Sequence, residues 1–132
     1  VIDQPANLDV ARLLGLYNVL PVEIKTLDPS RNSSVLRFGE WELEGPYFPG
    51  RFRGDRVSLI VRPEYLRAYP LDGRPGRNQV QVSLLRARER PESTRLEFSE
   101  SITVVLPRAD YERYKHNKEW VVEFPSPFLR IL

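Results

Sequence analysis

Apolar and polar residues alternate along most of this chain, in runs too short for long helices. Gln79–Arg88 puts Val80, Val82 and Leu84 on one side and Gln79, Gln81 and Ser83 on the other. That is the period-two pattern of a strand with one buried face. Arg56–Arg62 repeats it with Val57, Leu59 and Val61, and Asn18–Leu27 carries Val19, Val22, Ile24 and Leu27. Val35–Phe38 and Glu40–Leu43 flank Gly39, which marks a tight hairpin. Arg95–Ser99, Ser101–Leu106, Glu119–Phe124 and Phe128–Leu132 follow in the same style. About eight to nine short strands with closely spaced turn signals predict an all-β barrel or sandwich.

Helical signals are sparse. Residues 5–14 predict a short helix, with Pro5 in its first turn and Gly15 as a stop. Three turns cannot stand alone in water, so this helix must pack on something. Pro63–Arg67 predicts a single helical turn, and the polar segment Arg108–Asn117 one or two turns. Residues 45–56 form a loop rich in Gly, Pro, aromatics and Arg, and residues 70–78 form a second loop. No internal repeat is evident along the chain.

Composition then narrows the function. The 132 residues contain no Cys and no Met. Without Cys there is no disulfide scaffold, thiolate zinc site or Cys nucleophile. The missing Met predicts a processed product or a piece of a longer protein. No apolar run approaches the roughly 18 residues that cross a bilayer. Net charge is +2, but residues 1–48 hold four basic and seven acidic side chains, against sixteen and eleven over 49–132. Of the basic residues 17 are Arg, whose planar fork of donors suits carboxylates, phosphates and other oxyanions.

Catalytic patterns are missing. There is neither a Gly-x-x-x-x-Gly-Lys loop nor a Gly-x-Gly-x-x-Gly turn after a strand. His116 is the one histidine and has no Gly-x-Ser-x-Gly elbow to serve, so neither a metal site nor an enzyme is expected in these residues. One cluster suggests binding instead. Between Arg37 and Arg56, Phe38, Trp41, Tyr47, Phe48 and Phe52 are interleaved with Arg51 and Arg53, the makings of a stacking platform for single-stranded nucleic acid. The alternative is that these aromatics are core and loop anchors.

The order of segments resembles a known family. Pro5-Ala6-Asn7, Val10-Ala11-Arg12-Leu13-Leu14-Gly15 and Asn18-Val19-Leu20-Pro21 are similar to the stretch that follows the nucleotide-binding domain in importer-type ABC transporter ATPases. Asp55–Arg67 resembles the strand ending in Arg-Pro-Glu that marks their C-terminal domain, and Pro127-Phe128-Leu129 its close. That domain is the transport-associated OB-like (TOBE) domain of the sulfate, molybdate, ferric iron, polyamine and sugar uptake group.

The resemblance implies a small OB-like β-barrel over 16–132, preceded at 1–15 by a linker helix leaving an ATPase domain. It implies a regulatory and dimerisation role without catalysis in these residues, the ATP and Mg belonging to the parent ATPase. The implied partners are the ATPase domain, a second ATPase subunit, the permease and a small oxyanion such as sulfate or molybdate. The implied location is the cytoplasmic side of the inner membrane, through the parent transporter. Nucleic acid is the alternative ligand of an OB module. For an oxyanion, the candidate donors are Ser83, Arg86, Arg88 and Ser101 from the basic part of the chain. Arg62, Pro63, Glu64 and Arg67 read as a corner lock. Pro63 extends Arg62 and starts a turn, Glu64 meets its positive end, and Arg62 or Arg67 pairs with a carboxylate or backbone carbonyl.

Overall fold

A computed structural model describes residues 16–131. The expected helix over 5–14, and the linker to which it belongs, lie outside the described residues. The chain is all-β, with ten strands and one short helix among those residues. The strands are β1 (Asn18–Asp28), β2 (Ser33–Phe38), β3 (Trp41–Gly45), β4 (Arg56–Val61), β5 (Arg67–Pro70), β6 (Gln79–Glu89), β7 (Ser93–Phe98), β8 (Thr103–Pro107), β9 (Glu119–Glu123) and β10 (Arg130–Ile131). The helix α1 is Arg108–Tyr114. The predicted strands are all present, and Gly39, at φ 59°, makes the predicted turn between β2 and β3.

The strands form two antiparallel sheets of identical order, β10-β4-β1-β2-β3 and β5-β9-β6-β7-β8. Each sheet is built around one long strand. β1 pairs with β4 through its first half and with β2 through its second, and its register shifts between Ile24 and Thr26. β6 does the same with β9 and β7, and shifts between Leu84 and Arg86. Such bulges bend a strand and let the sheet coil into a barrel. In the second sheet the two edge strands, β5 and β8, come into contact. Internal repetition, absent from the sequence reading, is therefore present in the topology.

The outermost strand of each sheet is exchanged. β5 follows β4 in the chain but pairs with β9, and β10 follows β9 but pairs with β4. The two crossings match. Each leaves its strand through a 3-10 turn, Pro63–Tyr65 or Ser126–Phe128, and then buries a leucine, Leu66 or Leu129. Tyr65 and Phe128 occupy corresponding places and stack on each other, ring centroids 4.8 Å apart. The helical turn expected over Pro63–Arg67 is thus shorter, and Arg67 already belongs to β5. Pro63 imposes the turn, while the extended conformation beyond it comes from pairing with β9, which no local pattern encodes.

Two asparagines complete the correspondence. Asn18, 3% exposed at the start of β1, donates from Nδ2 to the Thr103 carbonyl (2.8 Å) and accepts at Oδ1 from the Thr103 N–H (2.7 Å). Asn78, just before β6, accepts from the Glu44 N–H (2.7 Å) and donates to the Glu44 and Phe124 carbonyls (2.8 Å each). Each clasp ties the first strand of one sheet to the third strand of the other. Asn78 has φ 58°, a left-handed conformation that Asn tolerates well. Between the sheets lies one continuous core that includes Leu20, Ile24, Leu36, Leu59, Val80, Leu96, Trp120 and Phe124.

Asn78→Ala should cost about 2–3 kcal/mol, because three hydrogen bonds go and three partly buried backbone groups lose a partner. Urea unfolding measures this. A loss below about 0.5 kcal/mol would show that the clasp carries no stability.

Candidate anion-binding groove

Register sets a row of charges on the outer face of the first sheet. Glu23 on β1 lies opposite Arg37 on β2 and opposite Arg56 on β4. Directly opposite residues project from the same face, so the three side chains stand side by side. Pro21 and Ser58, the pair two positions along, line the same open groove with Gly39; its volume is about 460 Å³. Arg37 and Arg56 are exposed and Glu23 is half-buried. Among the described residues, these three side chains form no hydrogen bond or ion pair. Two guanidinium forks, a hydroxyl and a carboxylate thus face one concavity with their bonding capacity open.

The corresponding row on the second sheet has other chemistry. Ser83 on β6 lies opposite Glu119 on β9, and its N–H donates to Ser99 Oγ at 3.0 Å. The Ser83 hydroxyl donates to Glu119 Oε1, also at 3.0 Å. This row closes on itself and presents no cation.

The four oxyanion candidates read from the sequence are not gathered around one cavity. Ser83 is engaged as just described. Arg86 and Arg88 both turn to Glu97, with Nε–Oε2 distances of 3.9 and 3.5 Å. Ser101 is exposed in the turn Ser99–Ser101 at φ 60°. The residues of the groove itself escaped the sequence reading except Arg37 and Arg56, which only bounded the aromatic cluster. Glu23, Arg56 and Ser58 sit on the polar sides of strands recognised by their apolar sides, and only register brings them together.

The corner motif is split between two surroundings. Pro63 is buried. Arg62 is exposed, its guanidinium 5.2 Å from the centre of the Tyr17 ring and Nη2 donating to the Tyr17 hydroxyl at 3.3 Å. Its partner is thus an aromatic ring rather than a carboxylate or carbonyl. Glu64 is exposed in the first turn. Arg67 Nη1 lies 3.8 Å from Glu123 Oε2, and Glu123 Oε1 also accepts from the Tyr69 hydroxyl at 2.9 Å. Gln79 Nε2 donates to that hydroxyl. Burial, helped by the hydrogen bond to Glu123, holds the Tyr69 phenol above its ordinary pKa.

The aromatic cluster is dispersed as well. Phe48 is buried, 8% exposed, against Gly45 and Ser34. Trp41 packs on the core, and Tyr47 is half-buried. Phe52 is 72% exposed, between exposed Arg51 and Arg53. One projecting ring is not a surface on which successive bases stack. His116 lies beyond α1, and among the described residues no group of His, Cys, Asp or Glu is placed to hold a metal ion.

No protein-family model matches the chain, and no curated protein matches it. A solved structure does: the cytoplasmic molybdate-binding protein ModG, crystallised with molybdate bound. The match has a TM-score of 0.74 and covers 86% of this chain and 94% of that one, at 10% sequence identity. The fold is a small OB-like β-barrel. The identity is too low to carry more than the fold. Among the described residues of this OB-like barrel, no helix is long and apolar enough to cross a membrane.

The Tyr69 network gives a pH dependence. A raised phenol pKa means that folding favours the protonated hydroxyl. Its contribution is complete below the unfolded value of about 10 and is lost as pH rises through the higher folded value. Thermal unfolding between pH 7 and pH 12 should therefore fall more steeply above about pH 10 for the native chain than for Tyr69→Phe. Parallel curves would exclude a role for this hydroxyl.

Proposed function

We propose that this chain is a regulatory, oxyanion-binding domain of an importer-type ABC ATPase, and that its anion sits in the groove between β1, β2 and β4. The observation that carries the reading is the pair of guanidinium groups, Arg37 and Arg56, left without partners in one concavity. Arg forks with nothing else to bond are the donors that a small tetrahedral anion takes up. Support for the anion comes from the fold shared with a molybdate-binding protein. Support for the transporter context comes from the sequence resemblance at residues 5–21 and 55–67. In this reading the ligand is bound and released unchanged. Its occupancy is felt by the ATPase domain, by the second ATPase subunit and, through them, by the permease in the inner membrane. Catalysis, with its ATP and Mg, belongs to the ATPase domain.

The groove has a mechanical link to the barrel. β1 is the strand on which the first sheet is centred, and Asn18 at its start is clasped to β8 of the other sheet. An anion that draws Arg37 and Arg56 together across β1 stiffens the three strands that hold β10 and that clasp.

Thermal unfolding with and without molybdate, sulfate and phosphate tests this. An anion at ten times its dissociation constant adds about 1.4 kcal/mol, or about 3–6 °C in Tm for a domain of this size. Arg56→Ala should abolish the shift. No shift with any of the three at millimolar concentration would leave the barrel a purely architectural role.

A further inference from the structure

The groove contains a group that a general anion site would avoid. Glu23 stands between Arg37 and Arg56, half-buried and without a hydrogen-bond partner among the described residues. An ionised carboxylate can only accept hydrogen bonds. Against a fully deprotonated anion such as sulfate or molybdate it offers repulsion and an unpaired acceptor, and both oppose binding. Against an oxyanion that still carries a proton, the same carboxylate is a partner. The ligand's O–H donates to Glu23 while its charged oxygens accept from Arg37, Arg56 and the Ser58 hydroxyl.

We infer that the groove selects a protonated tetrahedral oxyanion, hydrogenphosphate, over sulfate and molybdate. This rests on the reading that the groove binds a small oxyanion, and it names which kind. The row Arg–Glu–Arg carries a net charge of +1, and its donors and acceptor match an anion that is itself both acceptor and donor. A site built to hydrogen-bond a ligand O–H rejects analogues that lack it, because its own polar group is then left unpaired. The fold's repetition supplies an internal comparison. The corresponding row, Ser83, Ser99 and Glu119, has its hydrogen bonds closed and no cation. That row therefore offers no second site of the same kind.

Isothermal titration of the chain at pH 7 with phosphate, sulfate and molybdate is the test, with glycerol phosphate as a further titrant to tell free phosphate from a phosphate ester. Phosphate should bind at one per chain and at least about tenfold more tightly than sulfate or molybdate. Glu23→Gln removes the charge and supplies a donor, so it should erase that preference by strengthening sulfate and molybdate and weakening phosphate. Arg37→Ala should weaken all three anions, and Ser83→Ala should change none. Far-UV circular dichroism confirms that these surface variants are folded. Equal affinities in the native chain, or an unchanged ratio in Glu23→Gln, would overturn the selectivity while leaving an oxyanion site. Binding that survives Arg37→Ala and Arg56→Ala together would place the anion elsewhere. Binding of none of the anions would remove the oxyanion reading itself, and this inference with it.

Discussion

Neither sheet of this barrel is finished by its own stretch of chain. β4 and β9 each present an edge whose N–H and C=O groups need a neighbour, and each receives it from the segment that follows the other. Buried backbone groups left unpaired are costly, so exchange makes the two sheets mutually obligatory. The asparagine clasps add two further ties of the same kind, from the first strand of each sheet to the third strand of the other. The stacked Tyr65 and Phe128 rings lie where the two crossings meet. The shared core between the sheets follows from this arrangement, because strands that cross between sheets cannot bury their leucines separately.

Local chemistry made most of the strands legible. Val80 and Val82, or Val57, Leu59 and Val61, recur every second residue because one sheet face is buried, and the structure buries all five. β5 was invisible for the opposite reason. In Arg67-Ala68-Tyr69-Pro70 only Ala68 is buried, and the strand exists because β9 lies beside it. The repetition was equally hidden. What the two halves share is strand order, bulge position, the 3-10 crossings with their leucines and one asparagine each, and the core accepts Trp120 in one sheet where the other offers Val57. Topology can persist while side chains diverge, since cores require volume and polarity rather than particular residues.

The site was less legible than the fold. Arg86 and Arg88 look like anion ligands in a sequence, but β7 places Glu97 within reach of both. Arg37 and Arg56 look like solvated strand positions, but β1 brings them to either side of Glu23. In both cases the deciding fact is which residue stands opposite, and cross-strand register is not written in either strand alone.

Repetition also explains how one face could acquire a ligand without endangering the barrel. The positions of Glu23, Arg37 and Arg56 have counterparts in Ser83, Ser99 and Glu119, and the counterpart row is content with its own hydrogen bonds. The backbone therefore does not require charge at these positions; a neutral, self-satisfied set supports the same strands. Three charged side chains held in register without partners serve no structural need that the other sheet reveals. Groups of that kind, on the outer face of a scaffold closed by its exchanged strands, are free to be specified by what they bind.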